Sequence, residues 1–101
     1  MHKDDLIRVR HMLDAANEAI GLAAGESRDE IEDERMLNLS LVRLIEIVGE
    51  AADHVSSEFC LNHRSIRWKE IIGMRHRLIH GMTISITTCF IKPFKKTFPH
   101  W

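Results

Sequence analysis

No proline interrupts the first 92 residues of this chain, and along that run apolar residues recur in steps of three and four. Proline removes a helix donor and clashes with the preceding turn, so its absence leaves long helices open. Steps of three and four put apolar side chains on one side of a helix. Between residues 4 and 24 the stripe is Leu6, Val9, Leu13, Ala16, Ile20 and Ala23, widened by Met12 and Ala19. Asp4 and Asp5 fall in its first turn, where carboxylates suit the helix dipole. Gly25 follows and suits a left-handed C-terminal position.

Ser27 and Glu30 have capping-box spacing, and Asp29, Glu30, Glu32, Asp33 and Glu34 give the next helix an acidic start. Its apolar positions continue through Met36, Leu37, Leu41, Leu44, Ile45, Val48, Ala52 and Val55. That predicts a second helix of roughly 28 residues, about 42 Å long. Gly49 lies inside it, where a glycine most simply permits a close helix approach. Glu46 and Glu50, four apart, read as a solvated edge or a partner for an arginine. "CLNHRS" is a short connector, which makes the flanking helices antiparallel neighbours. A third helix is expected from about Ile66 to His80, anchored in the core by Trp68 and stopped by Gly81. His11, His54 and His63 read as surface residues.

The expectation is therefore an all-α, antiparallel helical bundle with a long second helix, over residues 1–81. Residues 82–101 differ in kind. Ile84, Ile86, Thr87 and Thr88 favour extended structure, and Pro93 and Pro99 oppose a helix. They are expected to form a divergent, irregular tail. Its apolar residues (Ile84, Ile86, Phe90, Ile91, Phe94 and Phe98) are available to cover the stripe that three helices leave open, a role a partner subunit can also fill.

With 101 residues, 45% hydrophobic and 29% charged, the chain is sized and composed for one globular domain. No apolar run approaches the roughly 18 residues of a membrane span. No secretory h-region is visible, so a cytoplasmic protein is expected. Cys60 and Cys89 match no metal or redox spacing and read as free thiols. Charge is uneven. Residues 1–70 hold all 15 acids against nine Lys/Arg, a formal −6, whereas residues 71–101 hold no acid and five Lys/Arg. A basic third on an acidic body is either a phosphate footprint or simply a basic tail.

The segment "GMRHRLIHGM", Gly73 to Met82, concentrates chemistry-bearing side chains. Three readings apply. His76 and His80 share a helix face and can hold a metal, but the residue after His76 is the cation Arg77 and no third ligand is near in sequence. Cations at a helix end also stabilise the dipole without any function. The third reading is phosphodiester chemistry: histidine moves a proton and arginine holds a phosphate. Arg75 and His80 lie about 140° apart on a straight helix, which Gly81 can relax by fraying. A two-fold dimer would supply a second copy of both groups.

Arg75-x4-His80 at the end of a third helix resembles the Arg-x(4–6)-His motif of the HEPN superfamily. With "DLIRVRHMLDAANEA", "DERMLNLSLVRLIEIVGEAADHVS" and "WKEIIGMRHRLIHG" in order, the chain more closely resembles the HepT-like toxins over residues 4–81. The resemblance implies a homodimeric helical bundle and a metal-independent endoribonuclease with no cofactor. It implies Arg75 and His80 as the catalytic pair, His76 and Arg77 as supporting, RNA-binding residues, and a nucleotidyltransferase-type antitoxin as partner. The alternative is an inactivated relative, a non-catalytic dimeric helical interaction module. Two positions depart from the family pattern: His76 stands where the family has Asn after the arginine, and Met82 stands where it has a tyrosine that the antitoxin adenylylates. A third departure is the tail, which replaces an acidic amphipathic helix.

Overall fold

A computed structural model of the chain describes residues 3–74 and 85–99. The architecture is all-α, with no strand among the described residues. The helices are α1 (Lys3–Ala23), α2 (Arg28–Asp33), α3 (Arg35–Asp53), α4 (Ser57–Asn62) and α5 (Trp68–Ile72). A π-helical turn, Thr87–Ile91, then runs directly into α6 (Lys92–Thr97).

Helices α1 and α3 form the antiparallel pair on which the rest is built. The face that α1 buries is Asp5, Val9, Met12, Ala16 and Ala19, at alternating steps of four and three, with Ala15 buried beside it. It is rotated slightly from the expected stripe, so Leu6, Leu13 and Ile20 flank it. A carboxylate heads it: Asp5 is only 5% exposed. Its Oδ1 accepts the Ser56 backbone N–H at 2.8 Å, and its Oδ2 accepts the Ser56 hydroxyl at 2.7 Å. Asp5 thus does more than complement the dipole of its own helix. It satisfies the polar groups at the α3–α4 junction, where Ser56 itself caps α4 by accepting the Phe59 N–H at 3.2 Å. Gly25 takes a φ of 79° after α1, as its position in the sequence implies.

The expected long second helix is broken in two. Ser27 caps α2 as expected, its Oγ accepting the Glu30 N–H at 3.2 Å, but Glu34 leaves the helical region at φ −85°, ψ 99°. Acidic residues crowd this break. Glu26, Glu30 and Glu34 follow one another at four-residue intervals, and like charges at that spacing oppose a continuous helix. Glu26 hydrogen-bonds Glu30 and sits in its field, which holds the Glu26 carboxyl above its usual range; the same bond draws Glu30 below it.

The connector and the tail are corrected as well. "CLNHRS" begins inside α4, and His63 is half-buried, its ring 4.4 Å from that of Phe59 and 5.0 Å from that of Phe98. From Ser85 through Thr97 the tail is helical rather than extended or irregular. Ile86, Phe90, Ile91 and Phe94 are buried, and Phe98 packs against the core; Ile84 lies outside the described residues. Pro93 sits in the first turn of α6, where a missing N–H is tolerated. The acceptor it leaves free, the Cys89 carbonyl, takes the Arg67 N–H at 3.0 Å instead. The tail is thereby bonded to the chain just ahead of α5.

Both cysteines are free. Burial, reinforced by the Asp5 charge, pushes the Cys60 thiol above its ordinary value, so it stays protonated. No helix among the described residues is long and apolar enough to cross a membrane.

Two stability outcomes are expected in urea unfolding. Asp5→Ala strands the Ser56 donors and costs about 1–3 kcal/mol; an effect within error would show that the junction does not depend on the carboxylate. Phe90→Ala costs about 3–5 kcal/mol, as for a fully buried ring, whereas a loosely laid tail would give far less.

Candidate functional site at the end of α5

Helix α5 leads into the Arg75–His80 segment, so what holds α5 determines where that segment starts. Arg67 enters it at φ −87°, ψ 74°. Trp68 is buried at its first position and donates its indole N–H to the His63 carbonyl at 3.1 Å. Ile71 is fully buried. Gly73 closes the helix, its N–H reaching the Lys69 carbonyl at 3.1 Å. The expected third helix from Ile66 to His80 begins later, at Trp68, and α5 ends at Ile72; residues 75–80 of that expectation lie outside the described residues. Met74, just beyond, is buried.

Two neighbours grip α5. On one side is Gly49 of α3: a Cβ built there would lie 3.4 Å from the carbonyl oxygens of both Ile71 and Ile72. The close approach expected of that glycine is therefore made to backbone. On the other side is Cys89, whose thiol donates to Glu70 Oε2 at 3.1 Å and whose carbonyl takes the Arg67 N–H.

Beside the Gly49 contact lies a groove of about 470 Å³, lined by Ile45, Glu46, Gly49, Glu50, Asp53 and Ile72. Glu46 leans toward Arg43 at 3.6 Å, an exposed pair in keeping with a solvated edge. Glu46, Glu50 and Asp53 follow steps of four and three along α3, so they share one face. The sequence reading singled out the first two and missed Asp53 and the groove. The carboxylate spacing was a visible signal, but the glycine floor that opens the groove needs the partner helix. Carboxylates there can accept hydrogen bonds from a histidine or arginine. Among the described residues no three His, Cys, Asp or Glu side chains form a group able to hold a metal ion.

Arg75, His76, Arg77 and His80 lie outside the described residues. The described structure carries the chain to Met74, two residues beyond the groove-lining Ile72.

Substitution at Gly49 tests the grip on α5. Gly49→Ala fits at ordinary contact and removes the glycine propensity cost, so stability stays level or rises by up to about 1 kcal/mol. Gly49→Val places extra methyls against the α5 carbonyls and is expected to cost about 1–3 kcal/mol. Equal unfolding midpoints for the two variants would contradict the close approach.

The comparisons with known proteins agree with the motif. The family model described as Ribonuclease HepT-like matches residues 12–83, from the middle of α1 through the Arg75–His80 segment. No curated protein and no solved structure matches the chain. A match over that much of the chain shows the family: the chain belongs to the HepT-like ribonucleases.

Proposed function

We propose that this chain is the toxin of a type II toxin–antitoxin pair, a metal-independent endoribonuclease that works as a homodimer in the cytoplasm. The observation that carries the reading is that the family match includes the whole Arg75–His80 segment. In the reaction, an imidazole takes the proton of a ribose 2′-OH, and the 2′-oxygen attacks the adjacent phosphorus. The 5′-oxygen leaves with a proton from a second acid. The products are a 2′,3′-cyclic phosphate and a 5′-hydroxyl. Arg75 stabilises the charge that builds on the phosphoryl oxygens. His80 is one proton carrier, and its copy across a two-fold axis is the other. His76 and Arg77 support the phosphate.

Neutralisation follows a narrower route than in the wider family. The chain has no tyrosine, and Met82 occupies the position of the modified residue. A nucleotidyltransferase-type antitoxin therefore acts on this chain by complex formation, not by transfer of an adenylyl group to that tyrosine.

The decisive experiment is RNA cleavage in excess chelator. The wild-type chain is expected to leave 2′,3′-cyclic phosphate ends, and Arg75→Ala or His80→Ala to lower the rate by about 10²–10⁴-fold. Cleavage that appears only with added metal, or that survives both substitutions, would refute the assignment.

A further inference from the structure

The groove at the end of α5 is acidic along α3, which suits an arginine or histidine but repels a polyanion. A ribonuclease must still hold the phosphate backbone. The described residues offer a surface for this at the other end of α5. On α6, Lys92, Lys95 and Lys96 stand at steps of three and four, all exposed, while Ile91, Phe94 and Phe98 face the core. The strand of chain from His63 to Arg67 runs antiparallel beside them. The His63 ring is tilted against that of Phe98, the Ser65 hydroxyl meets Thr97 Oγ1 at 3.2 Å, and the Arg67 N–H meets the Cys89 carbonyl. These contacts bring Arg64 and Arg67, both exposed, alongside the three lysines. The carboxylate closest in sequence, Glu70, is already engaged by the Cys89 thiol and by Arg67 at 3.5 Å.

We infer that Arg64, Arg67, Lys92, Lys95 and Lys96 form a docking surface for the phosphate backbone of single-stranded RNA. The inference rests on the ribonuclease reading for its occupant. The surface itself rests on charge and geometry. Helix α5 has five residues, about 7.5 Å at the usual rise, and that is the axial separation between its start, beside the surface, and its end, beside the groove. The lysines come from a segment past residue 83, where the family match stops. The surface joins them to Arg64 and Arg67, inside the match, and it gives the basic third of the sequence a place in the fold.

The test measures binding apart from cleavage, with a 2′-O-methylated single-stranded RNA oligomer that cannot undergo 2′-oxygen attack. Wild type is compared with K92Q/K95Q/K96Q and with K92R/K95R/K96R as sodium chloride is raised. Removing three phosphate contacts is expected to weaken binding roughly tenfold and to make the log–log salt slope shallower by about 2. The arginine variant should bind as wild type does, and unfolding midpoints should agree across all three. An unchanged Kd and slope in the glutamine variant overturns the inference, as does lysine-dependent binding to anionic phospholipid vesicles with none to RNA. Cleavage of unmodified RNA is scored separately. Lysine-dependent binding without cleavage keeps the surface and sinks the ribonuclease, whereas cleavage with an unaltered KM in the glutamine variant does the reverse.

Discussion

The bond pair between Asp5 and Ser56 sets the register from which the rest of the structure follows. A carboxylate on a buried helix face is costly unless its oxygens are satisfied. Here both are, by donors 51 residues away. That fixes the start of α1 against the end of α3, and the two helices then lie antiparallel with small residues between them. Ala15, Ala16 and Ala19 on α1 and Ala51 and Ala52 on α3 are all buried. A slip of one turn along α3 would strand Asp5 in an apolar seam, so the polar contact selects one alignment among several that the alanines alone would accept.

With α3 placed, Gly49 has a fixed direction, and α5 is held by its backbone carbonyls. A five-residue helix has little stability of its own. Its order comes from packing: Gly49 on one side, Cys89 on the other, and its own Trp68 buried beneath. Trp68 joins an aromatic group with Phe59 and Phe98, at ring separations of 6.0 Å from Phe59 to Trp68 and 6.5 Å from Phe59 to Phe98. The tail is therefore a structural part of the site. By bonding Arg67 and Glu70 it steadies the helix that delivers the Arg75–His80 segment.

The helical class, the capping by Ser27, the turn at Gly25, the packing role of Gly49 and the core position of Trp68 were all legible in the sequence, because each is a local signal with a local consequence. The family was legible from ordered motifs. Other features were not. The break at Glu34 falls between the apolar positions Ile31 and Met36, so apolar periodicity does not register it. The burial of Asp5 depends on a partner 51 positions on. Of the candidate site, the sequence showed the Arg75–His80 segment and two of the groove carboxylates; the groove itself exists only because α5 crosses α3 at a glycine.

The tail shows why a residue's propensity is a weaker guide than its unmet bonds. Threonines and Pro93 argue against a helix when read singly. The buried rings of Phe90 and Phe94, 5.5 Å apart, argue for one, and burying them outweighs propensity differences of a few tenths of a kcal/mol per residue. The conflict is resolved locally. A π turn widens the backbone at Thr87–Ile91, where Lys92 bonds back to Thr87. Pro93 then enters where its missing donor frees the Cys89 carbonyl for Arg67. The residue that should end the helix supplies the acceptor that docks it, and that docking is what turns the lysines of α6 outward beside Arg64 and Arg67.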